Sequence, residues 1–262
     1  MEVRLLEKSK DGKRLSFMLT KTTPSYVNTL RRLIINRVPT LAMEDIEIKH
    51  NNSVLYDEVL AHRLGLIPLT TDLSTYNHKQ NCNCKGEGCA QCEVKLTLKA
   101  TGPGVVKASD IKSQDPKIVP VYPDTPIVNL QKEQNIELIA TAVLGTGREH
   151  SKWSPAHAWF TYKSNIKIND KSKKFEEVKD LFPPQIFNNG KIDKNMIYTP
   201  ELIDACEGVC DDVLKIEYDD TSFIFHLESW GQLNCNEIFT TAINTLNGLV
   251  DEFAKQEKQC NG

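Results

Sequence analysis

The sequence predicts an α+β fold in which each end of the chain supplies strands and one amphipathic helix, and the middle supplies a mostly β unit. Three observations carry that reading. Apolar residues recur at helical spacing from Tyr26 to Arg37, they do so again from Ile238 to Phe253, and residues 44–165 between them break into short alternating segments separated by Pro, Gly and Asn.

Val3 and Leu5, then Leu15, Phe17 and Leu19, alternate with polar neighbours on either side of Asp11-Gly12, the pattern of a β-hairpin. Next, Thr23 suits a helix cap and Pro24 the first helical position, and Tyr26, Val27, Leu30, Leu33, Ile34 and Arg37 follow a helical stripe that Pro39 ends. Ile46/Ile48, Val94/Leu96/Leu98, Ile118/Val121, Ile136/Leu138/Ala140 and Trp159/Thr161 mark the strands of the middle unit. Residues 166–211 are rich in Lys, Asn and Asp, contain Phe182-Pro183-Pro184 and Asn188-Asn189-Gly190, and read as a small irregular subdomain or a long linker. The end of the chain repeats the pattern of its beginning, with a strand over Ser222–Gly231 and then a helix at Asn234 with Glu237 three residues on, a capping-box spacing. Its apolar positions, Ile238, Phe239, Ala242, Ile243, Leu246, Leu249, Val250 and Phe253, form a stripe wide enough for a core and a partner helix together. Periodicity alone does not separate that reading from simple packing on the chain's own sheet.

The 262 residues allow one large domain or two to three small ones, with enough apolar sequence (40%) to bury a core. Thirty-two basic against thirty-five acidic residues give a formal charge of -3, without the basic excess of a chain that grips nucleic acid unaided, so no direct DNA contact is expected. The opening MEVRLLEKSKDGKR lacks the apolar core of a signal peptide, and no window approaches a membrane span, which predicts a cytoplasmic protein.

Four of the eight cysteines, Cys82, Cys84, Cys89 and Cys92, lie on one short stretch with Gly86 and Gly88 between them. Four thiolates on one loop satisfy tetrahedral zinc without further ligands, and a closed four-thiolate shell leaves no position for a reactive water. The prediction is one structural Zn²⁺. An Fe–S cluster also takes four cysteines, and disulfide pairing is the simplest alternative, but Cys-x-Cys bridges poorly and cytosolic thiols stay reduced. Cys206-x3-Cys210 matches only the last spacing of a ferredoxin-type motif, and two ligands do not hold a four-iron cluster alone. Gly145-Thr146-Gly147-Arg148 lacks the spacing of either phosphate-binding loop and reads as a turn between strands. The six histidines show no metal-ligand spacing and no nucleophile motif is present, so no catalytic residues are assigned.

With these residues in view, Asn28-Thr29-Leu30-Arg31-Arg32 followed by Arg37-Val38-Pro39 and Ala42 resembles the first signature of the family that unites bacterial RNA polymerase alpha, the eukaryotic third-largest subunit and their archaeal counterpart. The stretch from Asp57 to Leu69, DEVLAHRLGLIPL, looks like the second signature, and Gly147-Arg148-Glu149-His150-Ser151-Lys152-Trp153 like the third. Together with the four-cysteine loop these stretches span most of residues 20–160 in the family's order; the chain is identified as a member of the archaeal branch, although the loop itself resembles the eukaryotic version.

The resemblance implies a discontinuous dimerisation domain over 1–46 and 212–262, an inserted β-rich domain over 47–165 with the metal loop, and a ferredoxin-like third domain over 166–211. In that third domain Cys206 and Cys210 would be vestigial cluster ligands and the cluster itself would be lost. It implies a scaffold subunit of DNA-dependent RNA polymerase, a nucleotidyltransferase whose chemistry sits in the large subunits. The partner face would be Tyr26, Asn28, Leu30, Arg31, Arg32, Leu33 and Ile34 of the first helix with Phe239, Ile243, Leu246, Leu249, Val250 and Phe253 of the last. This face would take subunit L as a heterodimer, and the inserted domain would meet subunits N and P and the second-largest catalytic subunit. Two alternatives stand beside this reading: an Fe–S redox protein using Cys206 and Cys210, and a stand-alone zinc adaptor.

Overall fold

The computed structural model describes residues 1–169, 171–188, 190–197 and 199–260, and of Asn195 and Cys260 the backbone only. Asn189, of the Asn188-Asn189-Gly190 stretch, lies outside the described residues. The chain is α+β. The opening hairpin pairs β1 (Glu2–Lys8) with β2 (Arg14–Thr20), and its turn forms because Gly12 adopts φ 70° while Asp11 accepts from the Lys13 amide at 3.1 Å. Helix α1 (Pro24–Arg37) follows and buries Val27, Leu30, Leu33 and Ile34. Pro39 then starts strand β3 (Pro39–Asn51) rather than prolonging the helix.

The middle unit continues with α2 (Asp57–Gly65), β4 (Glu93–Thr101), β5 (Gly104–Lys107), β6 (Lys112–Ser113), β7 (Pro126–Leu130) and β8 (Asn135–Thr146). Its main sheet has the order β3-β8-β4-β6, and β5 pairs with β7 apart from it. Strand β8 is central and antiparallel to both neighbours, with Leu41 opposite Leu144 and Leu96 opposite Ala140. Alternate residues of these strands point to one face. There Leu41, Met43, Leu96, Leu98, Leu138 and Ala140 meet Leu60 and Leu64 of α2 and the following Ile67 and Leu69 in a single apolar core.

Strand β9 (Ala156–Ile168) leads into α3 (Phe175–Val178), the short strands β10 (Phe187–Asn188) and β11 (Lys191–Ile192), and α4 (Pro200–Cys206). This stretch thus carries helices and strands of its own. Phe175, Phe182, Ile186, Ile192, Ile197 and Cys206 form a small core of their own with Ile166, Val213 and Leu214. Strand β12 (Leu214–Ser229) and helix α5 (Cys235–Cys260) complete the chain.

A second sheet has the order β1-β2-β12-β9. Contact density divides the chain into two units, one of Met1–Arg4, Met18–Pro24 and Phe160–Ile224, the other of Leu5–Phe17, Ser25–Trp159 and everything from Phe225 to the end of α5. Within the second unit, Phe17 of β2 stacks on Phe225 of β12 at 5.1 Å and meets Phe239 of α5 edge-on at 5.2 Å, which seats α5 on the sheet. The capping box at the start of α5 forms in both directions: the Glu237 amide donates to Asn234 Oδ1 at 3.0 Å, and the Asn234 amide donates to Glu237 Oε2 at 3.2 Å. Asn234→Ala should cost about 1 kcal/mol. A thermal denaturation midpoint unchanged by that substitution would show that packing of Phe239 and Ile238, and not the cap, sets where the helix begins.

Candidate metal centre and partner face

The metal loop hangs between α2 and β4. Its tight course needs left-handed backbone at Lys85 (φ 55°), Gly86 (φ 91°) and Gly88 (φ 95°), which glycine adopts without strain. The amides of Lys85 and Glu87 donate back to the carbonyls of Cys82 and Cys84 at 3.0 and 3.1 Å, and the Cys92 amide to the Cys89 carbonyl at 3.0 Å. The four sulfurs converge: Cys82 to Cys89 3.5 Å, Cys84 to Cys92 3.6 Å and Cys89 to Cys92 3.8 Å, all four within 4.8 Å of one another. A tetrahedral ion with metal–sulfur bonds of about 2.3 Å separates its sulfurs by roughly 3.8 Å. The spacing fits one metal ion and is far too long for sulfur–sulfur bonds, which are about 2.05 Å.

Cys82 and Cys92 are buried and the other two half-buried. Burial pushes the Cys92 thiol up to about 12. Burial also raises Cys84, but hydrogen bonds from the Gly88 and Gly86 backbone and from the neighbouring thiols outweigh it and hold that thiol at about 6. The Cys89 amide points at Cys92 Sγ at 3.3 Å, an arrangement that steadies a thiolate ligand. Among the described residues this is the one group of three or more such side chains able to hold a metal ion. Cys206 lies in the apolar core of the small subdomain with Cys210 packed beside that core, and the two join no such group. Cys235 is buried at the start of α5, where its thiol donates to the Leu227 carbonyl at 3.6 Å.

The three signature stretches all build this second unit. Arg63 of the second stretch donates to the carbonyls of Ile127 and Pro126, both at 2.8 Å, and so ties α2 to β7. Lys152 of the third donates to the Met43 carbonyl at 3.0 Å, pairs with Glu44, and lies 4.4 Å over the Trp153 ring. The Trp153 indole donates to the Val143 carbonyl at 3.2 Å, and its face covers Gly145, where any Cβ would sit 2.4 Å from the ring. At Gly147 a Cβ would come within 2.0 Å of the Ile35 carbonyl, because this turn lies against the end of α1. Gly147→Ala should therefore cost at least about 2 kcal/mol, read as a lower urea midpoint. A neutral result would mean that the turn can retreat from α1. Apart from that of the neighbours Lys152 and Trp153, none of these contacts is visible in the local pattern of the sequence, because each joins residues well separated along the chain.

The helix residues divide by burial. Leu30, Leu33 and Ile34 are buried within the chain itself, at 2%, 6% and 0% exposure, so this stripe of α1 serves the core. Asn28 accepts from Arg31 at 2.9 and 3.1 Å, Tyr26 is half-buried, and Arg32 is exposed. In α5, Ile238 and Ala242 are buried, Phe239, Ile243 and Leu246 half-buried, and Leu249, Val250 and Phe253 exposed at 39%, 58% and 70%. Arg32, Leu33 and Asn36 of α1 and Leu249 of α5 line one shallow groove of about 180 Å³. The apolar stripe of α5 thus runs on past the body that its first turns bury.

Comparison with known proteins settles the family. The family model described as RNA polymerase Rpb3/RpoA insert domain matches residues 46–160. The sequence is 38% identical to DNA-directed RNA polymerase subunit Rpo3 of Methanosarcina acetivorans over 96% of each chain. This chain belongs to the Rpo3 family. Rpo3 of Thermoplasma volcanium is 36% identical over 94% of this chain and 95% of its own, and Rpo3 of Pyrococcus furiosus 32% over 98% and 97%. The resemblance read from the three signatures holds, and so does the α+β fold that it implied. Among the described residues no helix is long and apolar enough to cross a membrane.

Proposed function

We propose that this Rpo3-family chain is a non-catalytic assembly subunit of a cytoplasmic DNA-dependent RNA polymerase. It pairs with the smaller homologous subunit L through α1 and α5, and it gathers subunits N and P and the second-largest catalytic subunit on its inserted domain. Residues 1–46 and 212–262 form the pairing domain in this reading, 47–165 the insert, and 166–211 a ferredoxin-like third domain without a cluster. The observation that carries it is the exposed row of Leu249, Val250 and Phe253 on a helix whose earlier turns are buried, since a soluble chain rarely leaves such a row uncovered. Of the first-helix residues, Arg32 reaches the partner in this reading, while Leu30, Leu33 and Ile34 hold the helix from beneath. The metal of the four-cysteine loop is zinc: four thiolates suit it, and the closed shell makes its part structural.

Co-expression with subunit L, followed by size-exclusion chromatography with light scattering and metal analysis of the same peak, tests the reading. A one-to-one complex with one zinc and no iron is expected. A monomer indifferent to its partner would remove the pairing claim, and an iron-rich peak the zinc claim.

A further inference from the structure

The sheet β1-β2-β12-β9 carries a feature on its open side that neither the core nor the α5 row uses. His157 and Trp159 of β9 stack with ring centroids 4.8 Å apart, and Trp159 stacks in turn on His226 of β12 at 5.0 Å and an interplanar angle of 16°. Ser16 of β2 shares a hydrogen bond with His226 Nδ1 at 3.0 Å, so three neighbouring strands contribute to one ladder. Along β9 and β12 these residues alternate with the buried Ala156, Ala158, Phe225 and Leu227, which places the rings on the opposite face of the sheet. His157 is exposed, and Trp159 and His226 are only half-buried.

The surround is acidic. Leu5 of the edge strand β1 is 58% exposed. Glu7, two residues on and therefore on the same side of β1 as Leu5, acts electrostatically on His226, as does Glu228. Glu228 is paired with Arg14 at 3.3 Å. Aromatic rings bordered by carboxylates are what a guanidinium or ammonium group recognises, by stacking on the rings and pairing with the acids. Trp is also among the residue types most enriched at interface hot spots.

We propose that this face docks a segment of another RNA polymerase subunit that presents a basic side chain to the rings and carboxylates. The inference rests on the assembly reading above. Phe239 of α5 packs against the other side of this sheet, so this contact and the α5 contact lie on separate surfaces and can be lost separately.

The experiment is reconstitution from purified polymerase subunits, with this chain immobilised as its complex with subunit L. Glu7→Lys combined with Glu228→Lys, and separately Trp159→Ala, should leave the complex with subunit L intact and lower retention of the remaining subunits at least tenfold. Wild-type retention should also fall with added salt more steeply than that of the double charge variant. If Trp159→Ala fails to fold, His157→Ala and the charge variant decide, since those side chains are exposed or nearly so. Retention at the wild-type level in the charge and histidine variants would overturn the proposal while leaving the assembly reading in place. A wild-type chain that retains no other subunit would overturn both.

Discussion

Val250→Glu combined with Phe253→Glu is expected to leave a folded chain that no longer pairs with subunit L. The two side chains are 58% and 70% exposed, so nothing inside the chain depends on them, and far-UV circular dichroism and the thermal midpoint should stay within the range of ordinary surface substitutions. Covering them in a partner helix would contribute about 3 kcal/mol from apolar burial, roughly a hundredfold in Kd, and carboxylates at an apolar interface add a desolvation cost on top. Loss of the one-to-one peak in light scattering is the expected result. Leu30→Asp makes the contrast: at 2% exposure it places a charge in the core and should unfold the second unit outright, so its failure to pair would carry no information about the interface. A double glutamate variant that still pairs at wild-type strength would remove α5 from the partner face.

Cys84→Ser is expected to abolish stoichiometric metal binding while the sheet around β8 stays folded. Apparent binding energies of about 10–16 kcal/mol hold structural zinc in small sites, and the removal of one thiolate of four forfeits enough of this to lose the ion from a loop with few other anchors. Without it, four sulfurs packed within 4.8 Å of one another have no common charge to gather them, and Lys85, Gly86 and Gly88 lose the reason for their left-handed backbone. The measurement is zinc per chain together with amide hydrogen exchange. Fast exchange should be confined to residues 78–92, with protection kept at Leu96 and Leu98, which pair with β8 and lie in the apolar core. Loss of protection throughout the β3-β8-β4 sheet would mean that the ion stabilises the whole insert, and unchanged zinc content would mean that three thiolates suffice.

The two experiments separate two duties that lie far apart on the chain. The cysteine loop is a closed four-thiolate site that offers no reactive position, and the α5 row is apolar surface without titratable groups. In the proposed reading both serve assembly, in keeping with relatives that carry the name of an RNA polymerase subunit.

Much of this molecule was legible from local pattern. The hairpin turn at Asp11-Gly12, the helix begun by Pro24 and ended before Pro39, the reciprocal cap of Asn234 and Glu237, and the convergence of Cys82, Cys84, Cys89 and Cys92 all depend on residues a few positions apart, whose spacing is their geometry. What lay beyond pattern is what long-range register decides. Residues 166–211 read as a subdomain or a linker because their apolar residues are sparse; only the meeting of Phe175, Phe182 and Ile186 with Ile166 and Leu214 makes them a core. The stripe of α1 and the stripe of α5 look alike in sequence, yet Leu30 is buried and Phe253 is open, because α1 lies within the body of its unit while α5 runs beyond it. The ladder of His157, Trp159 and His226 likewise exists only because β9 lies beside β12. Periodicity states which side of an element is apolar; how far the neighbouring element extends decides whether that side is core or surface.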